Sequence, residues 1–146
     1  EPAGGLFDGY VHRFAVRVYY EDTDAGGIVY HANYLRWFER ARSDMLRLLG
    51  IDQRAALEAG DGGFVVADVS MAFRAPARLG DDVLIESGLE RVMRAGVVMR
   101  QRALCAGTTL CEATVKVGFI GTDGRPKAQP EAWRQAFAAF LPGEER

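Results

Sequence analysis

The chain has 146 residues, with 18 Lys and Arg against 20 Asp and Glu, and a formal net charge of −2 at pH 7. That length suits one domain whose core needs no disulfide or metal staple, and fractions of 49% hydrophobic and 26% charged are those of a globular chain. The missing basic surplus argues against duplex nucleic acid as a partner, no apolar run reaches the roughly 18 residues of a membrane span, and two cysteines, Cys105 and Cys111, are too few for a disulfide scaffold or a Cys-based zinc site. The N-terminus has no basic and then apolar segment of a secretory signal. The expected setting is cytoplasmic, with both thiols reduced and no metal.

Residues 1–10 read as a loose lead-in to a single domain spanning 1–146. Over residues 12–20 apolar side chains alternate (Phe14, Val16, Val18, Tyr20), which predicts a strand with one buried face. A polar, Gly-rich break follows, Glu21 to Gly27, then Ile28-Val29-Tyr30. From Asn33 to Leu49 the period changes. Tyr34, Phe38, Ala41, Met45 and Leu48 make one helical stripe, which Leu35, Trp37 and Leu49 widen. Asn33 is the expected N-cap and Gly50 the expected C′ residue.

A second strand runs to about Phe73, with Val65, Ala67, Val69, Met71 and Phe73 on one face. Strands near 82–92, 95–105 and 109–120 follow, separated by short breaks. If the odd-numbered residues of the last two face the core, Cys105 stands opposite Cys111. Residues 130–141 predict a short helix with Trp133, Phe137 and Phe140 on one side. The order is strand, long helix, four strands. One helix covers one face of a sheet, so the expected fold is α+β: a five-stranded antiparallel sheet wrapped around one central helix. An open sheet edge and outer face favour self-association.

Chemistry concentrates in Tyr19 to Arg42, YYEDTDAGGIVYHANYLRWFERAR. Two carboxylates, Asp22 and Asp24, sit between a strand and the long helix, with Gly26 and Gly27 allowing close backbone approach. A helix start offers unpaired N–H groups and favours negative charge. A carboxylate facing such amides suits acyl transfer: the amides hold the developing oxyanion, and the carboxylate attacks or deprotonates water. On composition alone Asp and Gly here also read as turn and cap residues. A calcium loop does not fit, because Gly26 and Asn33 stand where ligands are needed. Glu39 has a plain reading as an ion-pair partner of Arg36 or Arg42.

The stretch resembles the signature of hot-dog-fold acyl-CoA thioesterases of the 4-hydroxybenzoyl-CoA thioesterase superfamily, and within it the Tol-Pal-associated thioesterases. The matching residues are Tyr19, Asp22, Thr23, Asp24, Gly27, Val29, Tyr30, His31, Tyr34, Glu39, Ala41 and Arg42. The resemblance implies a hot-dog fold assembled as a homodimer or homotetramer. It implies hydrolysis of an acyl-CoA, or acyl-carrier-protein, thioester to a free acid and thiol. Asp24 is then nucleophile or general base, and His31 supplies a backbone N–H and helps shape the site. Gly27, Ile28, Val29 and Tyr30 border the substrate, with Tyr30, Tyr34 and Glu39 lining the acyl end. No cofactor is implied beyond the coenzyme A that is part of the substrate. Its phosphates call for Arg, with Arg74 and Arg78 the first candidates and Arg91, Arg94, Arg100 and Arg102 behind them. Two rivals stand beside this reading. One is a non-hydrolytic acyl-thioester-binding or envelope-associated interaction module. The other is a hot-dog dehydratase, for which the chain lacks an F-P-G-type loop after either histidine.

Overall fold

The structure is a computed structural model that describes residues 3–142. In chain order the elements are β1 (Leu6–Asp8), β2 (Val11–Arg17), a single 3₁₀ turn (Tyr20–Asp22), α1 (Ala32–Leu48), α2 (Gln53–Glu58), β3 (Gly63–Phe73), β4 (Asp82–Met93), β5 (Gly96–Cys105), β6 (Thr108–Ile120) and α3 (Glu131–Ala138). The strands form one antiparallel sheet in the order β1-β2-β4-β5-β6-β3. α1 packs on its inner face against β2, β4 and β5.

α1 forms where its periodicity predicts. Tyr34, Trp37, Phe38, Ala41, Met45 and Leu46 are its buried side, while Leu35 and Leu48 are exposed. Gly50 takes φ +79°, and the amides of Gly50 and Ile51 donate to the carbonyls of Arg47 and Leu46. This is the Schellman ending that a C′ glycine permits.

Four expectations need correction. The sheet has six strands, not five. The extra one, β1, lies inside the lead-in, and three residues are too short for alternation to show; only pairing with β2 makes them a strand. Tyr20 is not on a buried face. β2 ends at Arg17 and Tyr20 opens the 3₁₀ turn, leaving it 83% exposed. The β3 face is broken by a bulge at Ala67. Val69, Met71 and Phe73 stand opposite Val115, Ala113 and Cys111 on β6, but beyond the bulge Val66 and Phe64 take over that face. Cys105 does not face Cys111: the β5–β6 hairpin closes on a two-residue turn, which pairs Cys105 with Thr108 and leaves Cys111 opposite Ala103. Both thiols are free, and burial pushes that of Cys111 up to about 11, keeping it protonated.

The β5–β6 hairpin turns on Ala106 and Gly107, both with positive φ, +50° and +82°. A side chain other than Gly or Asn is disfavoured there. Ala106→Asn is expected to stabilise the fold by about 0.5–1 kcal/mol. Urea unfolding should show a raised midpoint at unchanged slope.

A row of polar side chains crosses the core under α1. His12, Ser87 and Gln101 are register partners across β2, β4 and β5, and all three are buried. Gln101 donates to the Phe38 carbonyl and the Ser87 hydroxyl and accepts from Arg42 at 2.9 Å. His12 Nε2 meets Asp44 Oδ2 at 2.8 Å, and that carboxylate also accepts from Gly5 N and Arg47. Apolar contacts alone would let the helix slide; these directional bonds set its register on the sheet.

His12 Nδ1 has no partner among the described residues. A neutral ring with its proton on Nε2 satisfies Asp44 and leaves a bare acceptor, cheaper to bury than a bare N–H of a charged ring. Burial accordingly lowers the His12 pKa despite its bond and charge contact with Asp44. Burial pushes the Asp44 carboxyl up, but hydrogen bonds from Arg47, His12 and Gly5 outweigh that and leave it below its ordinary value. Just below the ordinary His pKa of about 6.5, the unfolded chain binds a proton that the folded chain declines, so stability falls on acidification. Asp44 adds a second loss as pH drops through its depressed pKa. In urea unfolding at pH 7 and pH 5, the native chain should lose more stability than His12→Gln, which keeps an amide donor.

Candidate active site

The segment between β2 and α1 is a compact loop tied to both. Its 3₁₀ turn is held by Asp22: Oδ2 accepts from Tyr19 N at 2.8 Å and Oδ1 from the Asn33 side-chain amide at 2.6 Å. The Asp22 carbonyl accepts from Tyr30 N at 3.0 Å. Asn33 is therefore not the N-cap. It lies in the first turn of α1, and its side chain serves as a donor to the loop; His31 holds the cap position without a side-chain bond.

Beyond the turn the chain doubles back on itself. Thr23 and Val29 form a bridge, Asp24 N donates to Ile28 O at 2.8 Å, and Gly27 N donates to Asp24 O at 3.0 Å. Gly27 closes this bend at φ +79°, a conformation that costs glycine nothing. Asp24 occupies the bend. It is exposed, and its Oδ1 accepts from Gly26 N at 2.8 Å. Oδ2 has no partner among the described residues. Val29 N donates to Ala77 O and Ile28 bridges Arg78, so the loop is also fastened to the segment after β3.

α1 starts immediately after this bend. Asn33 N donates to Tyr30 O and Tyr34 N to His31 O, whereas no acceptor is found among the described residues for the backbone N–H of His31 or Ala32. Two free amides at a helix tip are a ready place for an anion or a polarised carbonyl oxygen. Aromatic rings surround the tip. His31 lies 4.4 Å from Tyr30 and 6.1 Å from Phe73, and Tyr34 lies 5.8 Å from Phe73, between ring centroids. Tyr34 is buried, which pushes its phenol pKa up, and Tyr30 is half exposed.

The loop thus brings together Asp24, Gly27, Ile28, Val29, Tyr30, His31, Tyr34 and Arg78. Two expected members lie elsewhere. Arg74 pairs with Glu112 at 3.0 Å and borders an open cleft of about 470 Å³ with Arg100 and Arg102. Glu39 borders a different cleft, with Ser43 and Met45, that includes neither Tyr30 nor Tyr34. It forms no ion pair within 4.0 Å among the described residues, so its expected partnership with Arg36 or Arg42 is not made. Neither cleft is lined by Asp24 or His31. Among the described residues no group of three His, Cys, Asp or Glu is placed to hold a metal, and no helix is long and apolar enough to cross a membrane. Sequence reasoning missed the His12–Asp44 pair, although His12 is in phase with Phe14, Val16 and Val18.

Residues 18–141 match the family model described as thioesterase-like superfamily. The chain belongs to that superfamily. It is 42% identical over 125 residues to an acyl-CoA thioesterase, YbgC, of Haemophilus influenzae, covering 85% of this chain and 92% of that relative. A thioesterase from Thermus thermophilus, complexed with coenzyme A and Zn, superposes with a TM-score of 0.75 at 27% identity, over 92% of this chain and 96% of that one. The 1,4-dihydroxy-2-naphthoyl-CoA thioesterase Slr0204 from Synechocystis superposes with a TM-score of 0.82 at 21% identity, over 88% of this chain and 96% of that one. It shares the fold. The hot-dog architecture implied by the resemblance of Tyr19 to Arg42 is the architecture found, with a sixth strand added at one edge.

Proposed function

We propose that this chain hydrolyses acyl-CoA thioesters at the bend that carries Asp24. The observation that carries the reading is an exposed carboxylate on a loop fastened to a helix tip whose first two amides have no partner among the described residues. The relative from Haemophilus influenzae bears that activity in its name, and the Thermus thermophilus protein holds coenzyme A.

In this reading the thioester carbonyl oxygen points at the amides of His31 and Ala32. Asp24 acts in one of two ways. As a general base it takes a proton from water, and the hydroxide formed attacks the carbonyl carbon. As a nucleophile it attacks that carbon itself, and water then hydrolyses the anhydride. In either path the oxyanion collapses, the C–S bond breaks and the thiolate takes up a proton. Single-turnover hydrolysis in oxygen-18 water separates the two, since only the second labels Asp24. In this reading Arg78 binds the phosphates of the carrier; its bridge to the loop at Ile28 and its exposure support that role. Arg74 is already engaged by Glu112.

Asp24, Tyr30 and His31 are exposed in a single chain, and in this reading a second copy covers them. From Val65 to Ser70, β3 is exposed along an unpaired edge. Such an edge invites antiparallel pairing with another copy. The assay is thiol release from a panel of acyl-CoAs and from the same acyl groups on acyl carrier protein. Turnover of at least one acyl-CoA is expected. Binding without release from any of them would favour an acyl-thioester-binding module instead.

A further inference from the structure

The turn between β3 and β4 is fastened to the reactive loop at both of that loop's ends. Arg78, Leu79, Gly80 and Asp81 form it: Asp81 N donates to Arg78 O at 3.0 Å, and Gly80 takes φ +88°. That is the geometry of a type II turn, which favours glycine at its third residue. At the start of the loop, Val18 N donates to Asp81 O at 2.9 Å and Gly80 N to Val18 O at 3.0 Å. At its end, Val29 N donates to Ala77 O at 2.8 Å, and Ile28 bridges Arg78. Val18, Val29 and Ala77 are buried, so these ties are shielded from water.

The Asp81 side chain closes the turn across its mouth. Its Oδ2 accepts from Arg78 N at 2.9 Å, so Asp81 holds the backbone of Arg78 through both amide and carbonyl. This fixes the direction in which the Arg78 side chain leaves the turn. The Arg78 guanidinium forms no ion pair among the described residues, whereas Arg74 is engaged by Glu112 at 3.0 Å. The Asp24 bend does not depend on this turn alone, because Asp22 also holds it on α1 through the Asn33 amide and Tyr30 N. Loosening the turn therefore moves Arg78 and leaves Asp24 in place.

We propose that Asp81 is a positioning residue: its carboxylate clamps the Arg78 turn and so aims the Arg78 guanidinium at the phosphates of the carrier. This rests on the reading of Asp24 as the hydrolytic carboxylate and of Arg78 as the phosphate ligand. Asp81 itself touches neither thioester nor phosphate. It lowers KM for a carrier that bears phosphates and leaves the chemical step alone. Arg has a long side chain with much freedom to lose, and a guanidinium held in place before binding loses less of it on pairing with phosphate.

The test takes the acyl group that the native chain turns over fastest in the acyl-CoA panel and compares two carriers: coenzyme A, and N-acetylcysteamine, which has no phosphate. Arg78→Gln should raise KM for the acyl-CoA about tenfold, the loss of one charge-assisted bond. Asp81→Ala should raise it to a similar extent at a kcat within about twofold of native. Asp81→Asn should restore KM, because its amide oxygen still accepts from Arg78 N. Gly80→Ala strains the turn at φ +88°, where the added Cβ meets nothing within 4 Å, and should match Asp81→Ala. The Asp81 and Gly80 variants should hydrolyse the N-acetylcysteamine thioester within about twofold of native, which also shows that they fold. Asp81→Ala combined with Arg78→Gln should be no worse than Arg78→Gln alone. A native KM in Asp81→Ala and Gly80→Ala, or an equal loss on both carriers, would overturn the positioning role; a raised KM in Arg78→Gln then keeps the phosphate reading. A native KM in Arg78→Gln brings down both. No turnover of any acyl-CoA by the native chain removes the hydrolytic reading beneath them.

Discussion

Asp24→Asn is expected to lower acyl-CoA turnover by about 10²–10⁴-fold, the range for removing a positioned general base, with the fold intact. The substitution preserves shape and keeps an acceptor oxygen for the Gly26 amide, which Asp24 Oδ1 now engages at 2.8 Å. What it removes is the charge, and with it the ability to take a proton or form an anhydride. The check is thiol release under saturating substrate, with thermal melting as the control for folding. Near-native turnover at a native melting temperature would remove Asp24 from the chemistry. Asp24→Ala is a poorer test because it also strips the bond that shapes the bend.

Asp22→Ala is expected to cost about 10²-fold in activity for a different reason. Asp22 binds Tyr19 N and the buried Asn33 amide and so fixes the loop on the first turn of α1. Losing the carboxylate leaves the Asn33 amide without its 2.6 Å acceptor, a penalty of about 1–3 kcal/mol for a buried polar group, and frees the bend to drift. A displacement near 1 Å is enough for a loss of about 10²-fold. The two variants should differ in kind. Asp22→Ala lowers stability and keeps the native pH profile of its residual activity, whereas Asp24→Asn keeps stability and loses the profile. Identical behaviour of the two would mean that Asp22 does more than position.

The candidate site was legible in the sequence to the extent that its parts are local. Asp24, Gly27 and His31 belong to one uninterrupted stretch, and a short bend between bridge partners Thr23 and Val29 has few ways to close. The same holds for α1, whose stripe and closing glycine are encoded at short range. Arg74 shows the limit. As a cation following a strand it reads as a phosphate ligand, but whether it is free depends on Glu112, which lies 38 residues on in sequence and is brought close only by β3–β6 pairing. Glu39 shows it again, since one helix carries it away from the rings of Tyr30 and Tyr34 and into another cleft.

Periodicity, glycine placement and the Asp-Thr-Asp stretch determined the order of elements, the buried side of the helix and the residues that meet at its tip. These are decided by backbone geometry over a few residues, and local chemistry alone sets them. Tertiary structure decided the rest: the bulge that turned β3, the tight β5–β6 hairpin that keeps Cys105 from facing Cys111, the sixth strand, the polar row under α1 and the cleft beside Glu39. Each of these depends on which distant segment lies alongside, and a strand's face or a side chain's partner is settled by its neighbour across the sheet rather than by its neighbour in the chain.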